Sequence, residues 1–312
     1  MAGLGNSNHQ NRTVSANFIP TLWSDEVIGA YKQNLVLANL VTKMSHKGKK
    51  GGTIKIPVPA RGSASAKAVD TQVNLIQDTA DVVTITIDKH YEYSKLIEDI
   101  AEVQSLSSMR KFYTDDAGYA LANQVDDDLF ALAEGFQSGT VGGSGAALWE
   151  TAVIAGDGTT AYNGATSNSS DITDAGIRKM ILTLDNADVP MDQRCLVLPP
   201  IASNDLLAIN RFTEQQFIGN GEALKTGKIG QIYGVDVFVT SNCPTVTSTD
   251  SAVSRIGLLL HKDALVLAEQ VGVRSQTQYK QEYLGDLFTA DTIYGVAELR
   301  DDAGIAFAVP ST

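Results

Sequence analysis

Between Ser105 and Phe136, apolar or small residues recur at Met109, Phe112, Tyr113, Ala117 and Ala120, and a second row runs through Leu121, Val125, Leu129, Leu132 and Phe136. Residues three and four apart share a helix face, so this spacing predicts one long helix. No proline interrupts it; Ser107 or Ser108 offers a hydroxyl to cap its first free N–H groups, and Gly135 marks its stop. The segment reads as a spine on which sheets are mounted.

A second helical pattern starts after Pro20, with apolar positions at Leu22, Trp23, Val27, Ile28, Tyr31, Leu35 and Val41. Thr21 or Ser24 is its candidate cap, and Asp25 and Glu26 sit in the first turn, where the helix dipole favours acids. The Lys-Gly cluster at 47–52 ends it. From Thr53 the period changes to two. TIKIPVP places Ile54, Ile56 and Val58 on one face, VVTITID does the same with Val83, Ile85 and Ile87, and the two runs predict an antiparallel hairpin. Pro57 and Pro59 confine the first strand to an edge. The connection between the strands is far longer than a hairpin needs, and long loops in compact proteins usually carry function. It is expected to protrude and lie on another subunit.

Residues 137–171 are rich in Gly, Ser, Thr, Ala and Asn and read as a connector with a short strand at 151–155. Asp171 or Thr173 then caps a helix with Ile177, Met180, Ile181 and Leu184 on one face; CLVLPP reads as a buried strand, IASNDLLAI as a short helix, and KIGQIYGVDVFVTSNCP as a strand pair bent at Gly230 and Gly234. Helices alternating with strands predict an α/β unit. Beyond Ile256 the runs GLLLH and ALVLAEQV predict strands, and DTIYGVAELRDDAGIAFAV a terminal hairpin turning at Asp301–Gly304, with Tyr294, Val296 and Ile305 packed and the spine helix as the partner surface. The expected fold class is α+β, organised as an N-terminal arm (1–50), an extended hairpin loop (51–92), a peripheral domain with the spine helix (93–171 and 256–312) and a central α/β domain (172–255).

The composition narrows the class. A chain of 312 residues with 43% hydrophobic and 19% charged residues can bury a sizeable core. The polar start, MAGLGNSNHQNRT, lacks the apolar run of a signal peptide, and no stretch of about eighteen apolar residues occurs, so export and membrane spanning are not expected. Cys195 and Cys243 have neither metal-ligand spacing nor a disulfide framework and read as buried thiols of a reducing compartment. The net charge is −12, but residues 1–50 carry Arg12, Lys32, Lys43, Lys47, Lys49 and Lys50 against Asp25 and Glu26, an asymmetry suited to an arm lying on an acidic partner.

Candidate chemistry is sparse. His9, His46, His90 and His261 lack the paired spacing of a metal site. Asp126, Asp127 and Asp128 are adjacent on a helix, point in different directions and read as a solvated acidic face. Gly142-Gly143-Ser144-Gly145-Ala146 lacks the closing glycine of a nucleophile elbow, and Thr226-Gly227-Lys228-Ile229 lacks the leading glycine and closing hydroxyl of a phosphate loop. Asp115 and Asp116 have no aligned acid–base partner. The basic cluster Lys43–Lys50 has no interleaved aromatics, which argues against sequence-specific nucleic-acid binding. No catalytic residue, cofactor or metal ligand is assigned.

Three features together resemble the major capsid proteins of tailed double-stranded-DNA bacteriophages with the Hong Kong 97 capsid fold, of the short-tailed phage type. Phe18-Ile19-Pro20, followed by Leu22-Trp23-Ser24, is similar to the family's arm. The hairpin at 53–88 followed by the helix at 105–136 is similar to its extended loop and spine helix. Arg194-Cys195-Leu196-Val197-Leu198-Pro199-Pro200, then Gly230-Gln231-Ile232-Tyr233-Gly234-Val235-Asp236-Val237 and Ser241-Asn242, are similar to its central domain.

The resemblance implies a non-enzymatic, self-assembling subunit of an icosahedral virion capsid. Its copies would form hexamers and pentamers around double-stranded DNA, held without sequence specificity, with scaffolding, portal and cement proteins as further partners. Assembly is expected in the host cytoplasm, without a membrane. The expected intersubunit contacts are Phe18, Trp23, Ile54, Ile56, Val83 and Ile85. Two alternatives stand beside this reading: the shell of a cellular nanocompartment with the same fold, and an α/β hydrolase using Ser144 or the Asp115–Asp116 pair.

Overall fold

The computed structural model describes residues 36–58 except 49, parts of 64–75, and 81–100, 109–134, 153–162, 167–209, 230–248 and 251–311. Phe18, Trp23, the caps proposed at Ser107 and Ser108, the stop at Gly135, Ser144 with its glycines, and the Thr226–Ile229 stretch lie outside the described residues.

The elements in chain order are α1 (Leu37–Leu40), β1 (Thr42–Ser45), β2 (Thr53–Val58), β3 (Asp81–Thr86), β4 (Lys89–Glu98), α2 (Met109–Glu134), β5 (Ile154–Ala155), α3 (Asp174–Asn186), β6 (Arg194–Leu198), α4 (Pro200–Ala208), β7 (Gln231–Ile232), β8 (Val235–Val239), β9 (Thr245–Thr247), β10 (Val253–His261), β11 (Leu265–Lys280), β12 (Gly285–Glu298) and β13 (Gly304–Pro310). They make three sheets. One has four strands in the order β1-β11-β12-β4, one has seven with the path β5-β13-β10-β6-β8-β7 and β9 on β10, and the third is the β2–β3 hairpin.

The spine, α2, is a 26-residue helix, about 40 Å long at 1.5 Å per residue. Its apolar positions serve two cores in succession along its length. Ala117 and Leu121 pack on Phe288, Ala290, Tyr91 and Tyr93 of the four-stranded sheet, whereas Leu129 and Phe130 enter the main core with β6, β10 and β13. The opposite face of the four-stranded sheet carries the hairpin. Period-two alternation along β11 sends Leu265 and Leu267 to the main core and Val266 and Ala268 to the hairpin, where they meet Ile85 and Ile87.

The hairpin pairs antiparallel as expected, with Ile54 opposite Ile85 and Ile56 opposite Val83. Its apolar face is turned inward, however. Ile85 is completely buried in this chain and Ile54 and Ile56 pack in the same cluster with Met44 and Ile293, so Ile85 seats the hairpin on its own subunit. Val83 is half-buried, the outward positions include Lys55, Thr84 and Val82, and Val58 is exposed at the far end of the apolar face.

Two expected elements differ. The N-terminal helix does not run on through Val41: α1 has only four residues, and Thr42–Ser45 instead pairs parallel with β11, placing Met44 in the hairpin cluster. Tertiary pairing overrides a helical spacing here. The terminal hairpin does not form either. β12 lies between β11 and β4, while β13 crosses after a 3-10 turn at Asp301–Ala303 to pair with β10. Ile305–Val309 is buried on both faces, which marks an interior strand, so strands of the 256–312 segment divide between two sheets.

In the seven-stranded sheet Arg194–Leu198 is wholly buried, as the unbroken apolar run CLVL requires. Arg194 itself is buried with each of its three guanidinium nitrogens engaged locally: it donates to the carbonyls of Val189 (2.6 Å) and Pro190 (2.9 Å) and pairs with Asp185 (2.7 Å), tying the end of α3 to β6. At the other end of α3 the Thr173 hydroxyl accepts from the Gly176 N–H at 3.0 Å. Thr173→Ala is expected to cost about 1 kcal/mol, read as a lowered urea midpoint with unchanged slope.

Candidate functional site

Among the described residues, the acidic triplet of α2 forms a junction between several parts of the chain. Successive residues on a helix are 100° apart, so three adjacent carboxylates face three directions. They are not a solvated face. Asp126 is fully buried and accepts from the backbone N–H of Ala38 at 2.8 Å and of Val36 at 3.3 Å. Helix α1 has no side-chain cap of its own at Val36, so its start is capped from the spine. Asp127 accepts from Asn242 Nδ2 (2.9 Å), in the turn after β8, and from Asn123 Nδ2 (2.8 Å). Asp128 accepts from the Tyr294 hydroxyl (2.5 Å) and pairs with Lys89 Nζ (3.3 Å), both on the four-stranded sheet.

One turn of one helix thus ties the root of the arm, the seven-stranded sheet's loop and the four-stranded sheet. Burial pushes the carboxyls of Asp126 and Asp127 above the usual carboxylate range despite the bonds they accept. Burial and the bond to Asp128 push the Tyr294 hydroxyl upward. The sequence held one sign of this. Asp126 lies three residues before Leu129 and one after Val125, inside the stripe that must be buried, so at least one of the three acids had to go inward.

A second polar cluster spans the strands. Asp291 takes two bonds from Arg274, at 2.7 and 2.8 Å, and lies 3.2 Å from His90 Nε2. The guanidinium holds this carboxyl below its usual range. Asp116, a candidate acid–base residue, accepts from the Tyr93 hydroxyl at 2.9 Å, and burial with that bond raises the tyrosine to about 12. Cys195 and Cys243 are free and buried, each raised by burial to about 12. Among the described residues no three His, Cys, Asp or Glu side chains converge to hold a metal, and no helix is long and apolar enough to cross a membrane.

A family model described as phage capsid protein matches residues 14–300. The chain belongs to the phage capsid protein family.

Solved structures share its fold over nearly the whole length. A Mycobacterium phage Che8 structure matches with a TM-score of 0.73 at 21% identity, covering 93% of this chain and 97% of that one. The capsid of cyanophage P-SCSP1u matches with a TM-score of 0.73 at 18% identity, covering 99% and 98%. The head of Helicobacter pylori bacteriophage KHP40 matches with a TM-score of 0.70 at 14% identity, covering 98% and 99%. A comparison with curated proteins gave no match. The capsid protein therefore has the mixed α+β Hong Kong 97 type fold, and family and fold point to a structural role in the virion shell.

Proposed function

We propose that this capsid protein closes into an icosahedral head as hexamers and pentamers that enclose double-stranded DNA without reading its sequence, assembling in the host cytoplasm with scaffolding, portal and cement partners. The observation that carries this reading is the hairpin. Its base is seated on its own subunit through Ile85 and Ile87, yet the 59–80 connection between its strands exceeds what that seat needs. It is a surface for a neighbour, together with the exposed residues Val58 and Val82 and the arm residues Phe18 and Trp23. A net charge of −12 suits a wall that does not hold phosphates tightly.

The purified protein, expressed alone and then with its neighbouring genes, is expected to give closed shells or ring-shaped capsomers by negative-stain microscopy and light scattering. A persistent monomer in every combination overturns the reading. Packaged double-stranded DNA in particles made during phage growth separates it from a nanocompartment shell.

A further inference from the structure

A cavity of about 230 Å³ opens between α1, α2 and the four-stranded sheet. Its apolar lining includes Ala38, Leu121, Ala122, Val125, Val273 and Tyr294. Val273 is 57% exposed and lies in the second of two register irregularities of β11, between Val271 and Arg274, the first falling between Glu269 and Val271. The groove rim carries both charges: Lys43 from β1, and Glu269, which Lys47 reaches at 3.3 Å.

The wall of this groove is also where the arm joins the body. The Asp126 carboxylate takes the N–H groups of Val36 and Ala38, so the root of the arm is pinned to the spine beside the groove wall that Ala38 helps to form. A few residues upstream come Val27, Ile28 and Tyr31, flanked by Glu26 and Lys32. Val27 and Tyr31, four apart, share a helix face, and the flanking charges are opposite in sign to Lys43 and Glu269 on the rim. From Val36 to Val27 the chain reaches at most about 30 Å, enough to fold back onto a groove whose wall holds Ala38. A segment tethered so closely meets its seat at an effective concentration on the order of millimolar.

We propose that this groove is the docking seat of the chain's own Val27–Tyr31 segment. Val27 and Tyr31 fill the cleft between Leu121, Val125 and Val273, and Glu26 and Lys32 face Lys43 and Glu269. The arm is then clamped twice, by Asp126 at its root and by the groove one step further out, and only the part before about Ser24 remains to reach a neighbour. The seat belongs to the free subunit and does not depend on the shell proposed above.

The test is disulfide trapping in the free subunit carrying Tyr31→Cys and Ala122→Cys under mild oxidation, with peptide mapping by mass spectrometry. The native thiols Cys195 and Cys243 are buried and serve as internal controls. A bond within one chain is expected. A bond between two chains assigns the groove to a neighbour's arm and overturns the proposal, as does no bond in a pair of variants whose far-UV spectrum and melting match the parent. Hydrogen exchange is the independent readout. Amides of 26–32 are expected to exchange at least tenfold more slowly than those of 5–12, and Ile28→Asp with Val27→Asp should abolish the difference while leaving the protection of α2 unchanged. Equal exchange of the two segments in the parent protein overturns the proposal.

Discussion

Replacing Gly295 with valine (Gly295→Val) is expected to lower stability by about 3 kcal/mol and to unseat the hairpin from its sheet. Gly295 lies on the β12 face that the hairpin covers, and a Cβ built there would sit 2.3 Å from the Thr86 carbonyl oxygen and 3.0 Å from Ile87 Cα. Both obstacles are backbone, so no side chain can swing aside; the β3 strand must lift, and Ile85 and Ile87 lose their contact with Val266 and Ala268. Overpacking of a tight contact costs about 1–3 kcal/mol, and exposing a buried isoleucine about 1.5–3 kcal/mol more, partly offset by relaxation. Gly52→Ala is the matched control, since its Cβ would stand 4.0 Å from the nearest atom and should change stability by less than about 0.5 kcal/mol. Urea midpoints, with hydrogen exchange of residues 53–58 and 82–87, check both. A Gly295→Val protein with parental stability and parental protection of the hairpin would sink the account of how it is seated.

Asp126→Ala is expected to cost about 2 kcal/mol at neutral pH, because the N–H groups of Val36 and Ala38 are left buried without an acceptor, less the relief of removing a buried charge. Asp126→Asn keeps the shape but only one of the two acceptor oxygens, enough for the Ala38 N–H while its NH2 faces the Val36 N–H, so it should cost less than Asp126→Ala, about 1 kcal/mol. The two variants also differ from the parent in their pH dependence. Burial raises the Asp126 carboxyl above its ordinary 3.8, so the folded chain holds that proton more tightly than the unfolded chain. The contribution of this group to stability therefore falls as pH rises from about 3.8 through the raised folded value, and its full cost is present above that. In a plot of stability against pH, the parent minus Asp126→Asn difference should slope downward across this window and level off above it. A flat difference would mean that the carboxylate is more hydrated than its burial implies.

The parts of the fold that could be read in the sequence were those with one uncontested period. The spine helix, the β2–β3 hairpin and the buried CLVL strand followed from spacing alone, because each had a single face or no exposed face to satisfy. The misread elements were those where two patterns compete. Residues 36–45 carry helical spacing, yet β11 offers Thr42–Ser45 a strand to pair with, and long-range pairing decided. The strands β12 and β13 are adjacent in sequence and each apolar, so a hairpin looked natural, but only β13 is apolar on every position and so went to the interior sheet. The junction was hardest to read. A run of three aspartates usually faces water, and its partners are backbone amides, Asn242 and Tyr294, which leave no spacing signature around them.

The acid triplet also limits how this chain can vary in length. Because Asp126, Asp127 and Asp128 each bond a different part of the subunit, the helix has one permissible rotation about its axis. Inserting or deleting a single residue between Leu121 and Asp126 would turn everything beyond it by 100° and hand each carboxylate its neighbour's partner. Among relatives, length changes should therefore gather in the connections before Met109 and after Glu134, while the interval from Ala117 to Leu129 stays constant in residue count even where its side chains diverge.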